Sequence, residues 1–107
     1  MKTIILVLLL SGCTLMVPVW RGDVSSDQCT DGVHSFTHEG ITKEYVLYRV
    51  SQDKMMSVCG SYTRGCTLGR RDVYILENID CKATLAHELN HVFGYDWVDR
   101  PKIRGEN

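Results

Sequence analysis

Four cysteines, Cys29, Cys59, Cys66 and Cys81, are set into a chain of 107 residues, and they bound its fold more tightly than any other feature. A domain this small buries a limited core, and crosslinks offset that limit by constraining the unfolded chain. Stable disulfides need an oxidising compartment. The start of the chain supplies one: "MKTIILVLLLSGC" has a lysine at the front, an apolar run from Ile4 to Leu10 and small residues before Cys13, the layout of an export signal. The run is too short to span a bilayer as a helix, so residues 1–12 are set aside as a signal peptide. Without Cys13 the cysteine count is even, and two disulfides are expected. Cys59 with Cys66, closing a short loop around "GSYTRG", and Cys29 with Cys81 are the favoured pairs; the two other connectivities stay open. No C-x-x-C pair is present, which disfavours a structural zinc site built from these thiols.

Leu10-Ser11-Gly12-Cys13 resembles the lipobox of bacterial lipoproteins. The resemblance implies that Cys13 carries a diacylglyceryl thioether and begins the mature chain, tethering it to a membrane without spanning it. Thr14 follows, and the absence of an aspartate there favours the outer membrane of a bacterial envelope, facing the periplasm. An ordinary signal peptide with an incidental Cys13 is the alternative.

Twelve basic and thirteen acidic residues nearly cancel, so nothing predicts nucleic acid or another polyanion as a partner. "GRR" at 69–71 reads as a solvated turn, and "RGD" at 21–23 as a chance match. From Cys13 to Gly40 the chain is rich in Ser, Asp, Gly and Thr without a sustained period. It is expected to be a lipid-anchored tether leading into a loosely ordered segment. That leaves 41–107 as a single domain, expected to be monomeric.

Within it, "EYVLYRV" (44–50), "MMSVC" (55–59) and "RDVYILEN" (71–78) read as strands, with "CTL" available as a fourth. Val73 and Ile75 fall on one face. Asp80 is a good N-cap and Gly94 a good C′ residue for a helix through "CKATLAHELNHVF". Leu85, Leu89 and Val92 form its packing stripe, widened by Ala86 and Phe93. The expected class is α+β: three or four strands, then one helix, stapled by disulfides.

On that helix His87 and His91 are four residues apart, one turn above each other, with Glu88 beside them. Two neutral imidazoles can hold Zn²⁺ without cancelling its charge, and a glutamate at this place can take a proton from water and return it to a leaving amine. The spacing is H-E-x-x-H. Residues 72–97 thereby resemble the catalytic core of zincin metallopeptidases, and "HELNHVFG" matches the metzincin frame as far as Gly94. The resemblance implies a small zincin-like domain, His87 and His91 as zinc ligands, Glu88 as general base and Gly94 as the turn after the helix. It departs at Trp97, where a metzincin has its third ligand, and in having no methionine turn. Small exported or phage-borne bacterial proteins with a cysteine-bearing strand region and a C-terminal H-E-x-x-H helix offer a looser likeness that spans the mature domain.

A third protein ligand leaves one coordination position open. Asp96 leads, because Gly94 lets the backbone reverse; Asp99 is next, followed by Glu106 and the N-terminal histidines. His34 and His38 share the four-residue spacing, but glycines bracket them and they read as loop residues. Tyr95 is open to two readings, an oxyanion donor or ordinary packing, with packing favoured. "GCTLG" (65–69) or the strand from Asp72 would give an edge for an extended substrate. The expected function is zinc-dependent hydrolysis of peptide bonds in envelope proteins or peptides, with peptidoglycan cross-links as a variant. The alternative is a noncatalytic envelope lipoprotein acting as a binding adaptor or inhibitor.

Overall fold

The structure, a computed structural model, describes residues 17–99; the expectations placed on 1–12, Cys13 and Glu106 lie outside the described residues. The alternation of "EYVLYRV" and "DVYIL" puts Tyr45, Leu47, Val73 and Ile75 on one face of a sheet, and all four are fully buried. Leu85, Leu89, Ala86 and Val92 of the last helix bury against that face. Each fully buried leucine contributes about 1.5–3 kcal/mol relative to an exposed one.

The elements run β1 (Gly32–His38), β2 (Ile41–Val50), α1 (Gln52–Cys59), β3 (Gly65–Leu68), β4 (Asp72–Leu76) and α2 (Cys81–Val92). They form an α+β fold with one four-stranded sheet in the order β1-β2-β4-β3. β2 and β4 run parallel, while β1 with β2 and β3 with β4 are antiparallel. "CTL" therefore belongs to a fourth strand, β3, at one edge. Cys29 is joined to Cys81 and Cys59 to Cys66, the favoured pairing. The first ties the N-terminal segment to the start of α2, and the second ties the end of α1 to β3.

Three expectations need correcting. "MMSVC" is not a strand: it is the last part of α1. The Ser51 side chain accepts from the Lys54 N–H at 3.2 Å, and Gly60 closes the helix in the left-handed region at φ 76°. These two caps outweigh the β propensity of a short Val-Cys run.

His34 and His38 are not loop residues. They lie on β1, paired with Tyr45 and Ile41 across a two-residue turn in which Glu39 and Gly40 both have positive φ (55° and 79°). Such a turn matches strand twist and joins the hairpin tightly. His34, Phe36 and His38 alternate inward, so two histidines occupy positions where a sequence pattern looks for apolar residues.

Nor is the segment before β1 a loose tether along its described length. From Val17 it packs along the back of α2 as a strap, burying Val19, Val24 and Cys29. Its backbone is tied at several points. The Val19 N–H donates to Asn90 Oδ1 at 2.7 Å, Tyr45 Oη donates to the Gln28 carbonyl, and Arg49 donates to the Cys29 carbonyl while also reaching those of Leu76 and Ile79 outside the strap. The "RGD" residues form a short 3-10 turn whose Arg21 pairs with Asp80 at 3.2 Å. Among the described residues, no helix is long and apolar enough to cross a membrane.

Candidate metal centre

Helix α2 divides its residues between two flanks. Leu85 and Leu89 face the sheet and Asn90 faces the strap, leaving His87 and His91 on the side toward the β3–β4 hairpin and the turn that follows the helix. One turn of separation brings their ring centroids to 5.2 Å.

The helix stops where the sequence places its stop. Gly94, at φ 87°, takes the left-handed conformation, its N–H donating to the His91 carbonyl and the Tyr95 N–H to the Asn90 carbonyl. This is a Schellman closure. A Cβ at Gly94 would also lie 3.1 Å from an Arg70 guanidinium nitrogen, which would have to shift by a few tenths of an ångström to admit it. The chain then makes a 3-10 turn at Asp96–Val98 and returns with Asp99 toward the histidines.

Asp99 receives both of them. Its Oδ1 lies 2.8 Å from His87 Nε2 and its Oδ2 lies 3.1 Å from His91 Nε2. His87, His91 and Asp99 can each offer one donor atom, all within 4.8 Å of one another, and this is the group of potential metal ligands found among the described residues. Two imidazoles and one carboxylate make a donor set that suits Zn²⁺ and leaves a fourth position for water or substrate.

Asp96, the leading candidate from sequence, is placed on the other nitrogen. Its Oδ1 is 3.1 Å from His91 Nδ1, and its Oδ2 accepts from an Arg70 guanidinium N–H at 2.8 Å. Arg70 also donates to the His91 carbonyl at 3.2 Å. A carboxylate on the far nitrogen fixes the ring's orientation and directs Nε2 to the ion, a common outer partner of metal-bound histidine. Arg70 reaches this position from the β3–β4 turn, where Gly69 and Arg70 both have positive φ (61° and 56°). "GRR" is thus more than a solvated turn, and only the hairpin geometry reveals it.

Glu88 is buried beside the pair. Thr67 of β3 donates its hydroxyl to Glu88 Oε1 at 2.7 Å, so the edge strand holds the carboxylate and leaves Oε2 without that bond. Burial pushes the Glu88 carboxyl above the usual range, against the opposing pull of Thr67 and the two histidines. For His91, burial acts downward, but the Asp96 hydrogen bond, Asp99 and Glu88 outweigh it and the imidazole is raised. Asp96 is lowered by its bonds to His91 and Arg70. With carboxylates at both nitrogens, a metal-free His91 keeps its second proton to higher pH than an ordinary imidazole.

The remaining candidates lie elsewhere. Tyr95 is buried, its ring 6.2 Å from His38 and 6.3 Å from Phe93, outside the residues that line the cleft. His34 bonds the Thr30 carbonyl and stacks on Tyr45, and His38 bonds the Val17 carbonyl. Neither lines the cleft. Next to the histidines an open groove of about 1020 Å³ runs between α1, the 59–66 disulfide loop and the first half of α2, lined by Met56, Tyr62, Leu76, Thr84, His87 and Glu88 among others. No family model, curated protein or solved structure matches the chain.

Proposed function

We propose that this protein is a zinc-dependent metallopeptidase, lipid-anchored at Cys13 in a bacterial envelope, with His87, His91 and Asp99 as zinc ligands. The observation that carries the reading is the convergence of three ligand-type side chains within 4.8 Å, next to a buried glutamate. Asp99 replaces Asp96 as third ligand because it meets the Nε2 atoms of both histidines, whereas Asp96 is engaged by His91 Nδ1 and Arg70. When bound, zinc would supply Lewis acidity toward a water and a carbonyl oxygen.

The residues then divide the work. Asp96 and Arg70 hold His91 so that Nε2 faces the site. Thr67 fixes Oε1 of Glu88, leaving Oε2 to accept a proton from the attacking water. As the new C–O bond forms and the C–N bond breaks, Oε2 passes that proton to the departing amine nitrogen. β3 is a sheet edge, so an extended peptide can add to its backbone while side chains enter the groove lined by Met56 and Tyr62.

The test is mass spectrometry of a linear peptide library and of purified peptidoglycan after incubation with the oxidised, zinc-supplemented protein and with Glu88→Gln. Cleavage by the parent, reduced by roughly 10²-fold or more in Glu88→Gln with zinc retained, is expected. A zinc-loaded parent that cuts neither substrate, or a Glu88→Gln variant as active as the parent, would contradict the peptidase reading and favour a noncatalytic binding protein.

A further inference from the structure

Val17, the first of the described residues, is only four residues after Cys13 in the sequence. Four residues span at most about 14 Å in any arrangement, against about 90 Å for a tether reaching Gly40. If Cys13 is acylated, so short a connection restricts which face of the domain meets the bilayer.

Val17 lies at the end of the molecule where α2 stops. Its carbonyl is bonded by His38, whose ring sits 6.5 Å from Phe36, 5.7 Å from Phe93 and 6.2 Å from Tyr95. Tyr95 in turn lies 6.0 Å from Trp97. Around this buried aromatic cluster, three large apolar side chains are turned outward: Val17, 51% exposed; Ile41, the cross-strand partner of His38, 48%; and Trp97, 61%. An exposed indole beside aliphatic side chains suits the boundary between headgroups and acyl chains, where its apolar body and N–H are both accommodated.

Charges adjacent in the sequence suit an anionic headgroup layer. Lys43 follows on the Ile41 face of β2, and the sequence after Asp99 carries Arg100, Lys102 and Arg104 against Glu106. Glu39 at the hairpin tip opposes them, whereas Asp96 and Asp99 are already engaged by Arg70 and the histidines.

We infer that the face formed by Val17, Ile41 and Trp97 docks on the surface of an anionic phospholipid bilayer, so that the metal cleft opens beside the membrane. Trp97 belongs to the turn that carries Asp96 and Asp99, so docking it fixes the cleft's position as well. The substrates reached would be peptide segments close to the bilayer. The inference rests on the acylation of Cys13, but not on zinc binding or peptidase activity.

The test uses the full acylated chain, reconstituted into phosphatidylethanolamine–phosphatidylglycerol vesicles containing bromine-labelled lipid, after intact mass has established the acyl group. Trp20→Phe leaves Trp97 as the sole tryptophan. Trp20→Phe with Trp97→Phe and Tyr62→Trp places one instead on the loop beside the first half of α2, at a position of matching exposure. Quenching about twofold or more stronger at position 97 than at position 62 is expected for an interfacial indole. Equal quenching, or stronger quenching at 62, on acylated protein overturns the docking face and leaves the anchor standing. A mass without the acyl group removes the anchor and the docking proposal with it.

Discussion

The two flanks of α2 carry polar side chains in opposite ways. On the strap side, Asn90 is buried and fully used: it accepts from the Val19 N–H at 2.7 Å and donates to the Ala86 carbonyl at 3.0 Å. Removing either partner would strand a buried polar group, so this flank is structural. On the cleft side, His87 and Asp99 are exposed, and their contacts run between side chains rather than to backbone. Exposed ion pairs of this kind stabilise little. Their organisation around one point, with Asp96 and Arg70 behind, is the arrangement on which the proposed metal site rests.

The sharpest contrast comes from removing a core side chain and a cleft side chain in turn. Leu89→Ala, next to Glu88 but fully buried against the sheet, is expected to cost about 2–5 kcal/mol of stability by urea unfolding. Asp99→Ala should leave metal-free stability nearly unchanged. Its zinc affinity, followed by competition with a chromophoric chelator, should fall by more than the roughly 100-fold upper range for loss of an outer partner, about 2.7 kcal/mol. If Asp99→Ala unfolds the protein as readily as Leu89→Ala does, the two flanks do not differ.

Asp96→Asn sharpens the division within the cleft. As the partner of His91 Nδ1 rather than a ligand, it should lose roughly 10- to 100-fold in zinc affinity, less than Asp99→Ala. The reverse ranking would return Asp96 to the ligand set.

The smallest effect is in pH dependence. The raised His91 retains its proton in the folded chain at pH values where an ordinary imidazole has lost it, and the raised Glu88 does the same above the ordinary carboxylate range. The folded state thus binds more protons, and metal-free stability falls as pH rises through both raised values. The lowered Asp96 acts the other way, adding stability above its ordinary value that is lost as pH falls through the depressed one. Metal-free protein should therefore melt highest at mildly acidic pH and lower at neutral pH. The added stabilisation from zinc should grow with pH, because binding expels the proton on His91 Nε2. A melting temperature that climbs with pH in the absence of metal would contradict this.

Much of this was readable without coordinates, for reasons that differ by element. α2 announces itself through local signals: Asp80 and Gly94 at its ends, Leu85, Leu89 and Val92 at helical spacing, and two histidines one turn apart. An even count and a short loop favoured the cysteine pairing found, without excluding the two other connectivities. β1 was hidden because His34 and His38 occupy inward positions that a pattern search expects to be apolar, and the Glu39-Gly40 turn looked like a break rather than a hairpin. α1 was misread because the β propensity of its Val-Cys end masked a helix that Ser51 and Gly60 cap. Asp99 ranked behind Asp96 because sequence gives the distance along the chain but not the 3-10 turn at Asp96–Val98, which turns one carboxylate to Nδ1 and brings the next to Nε2. Arg70 and Thr67 carried no signal at all, since their roles depend on a strand pairing some twenty residues before the helix residues they hold.

Zinc-edge anomalous diffraction from crystals of the oxidised protein grown with zinc tests the central claim most directly. The expected result is one ion per chain, bound by Nε2 of His87, Nε2 of His91 and the Asp99 carboxylate, with Asp96 still on His91 Nδ1. A folded protein with no ion between those three side chains would contradict it.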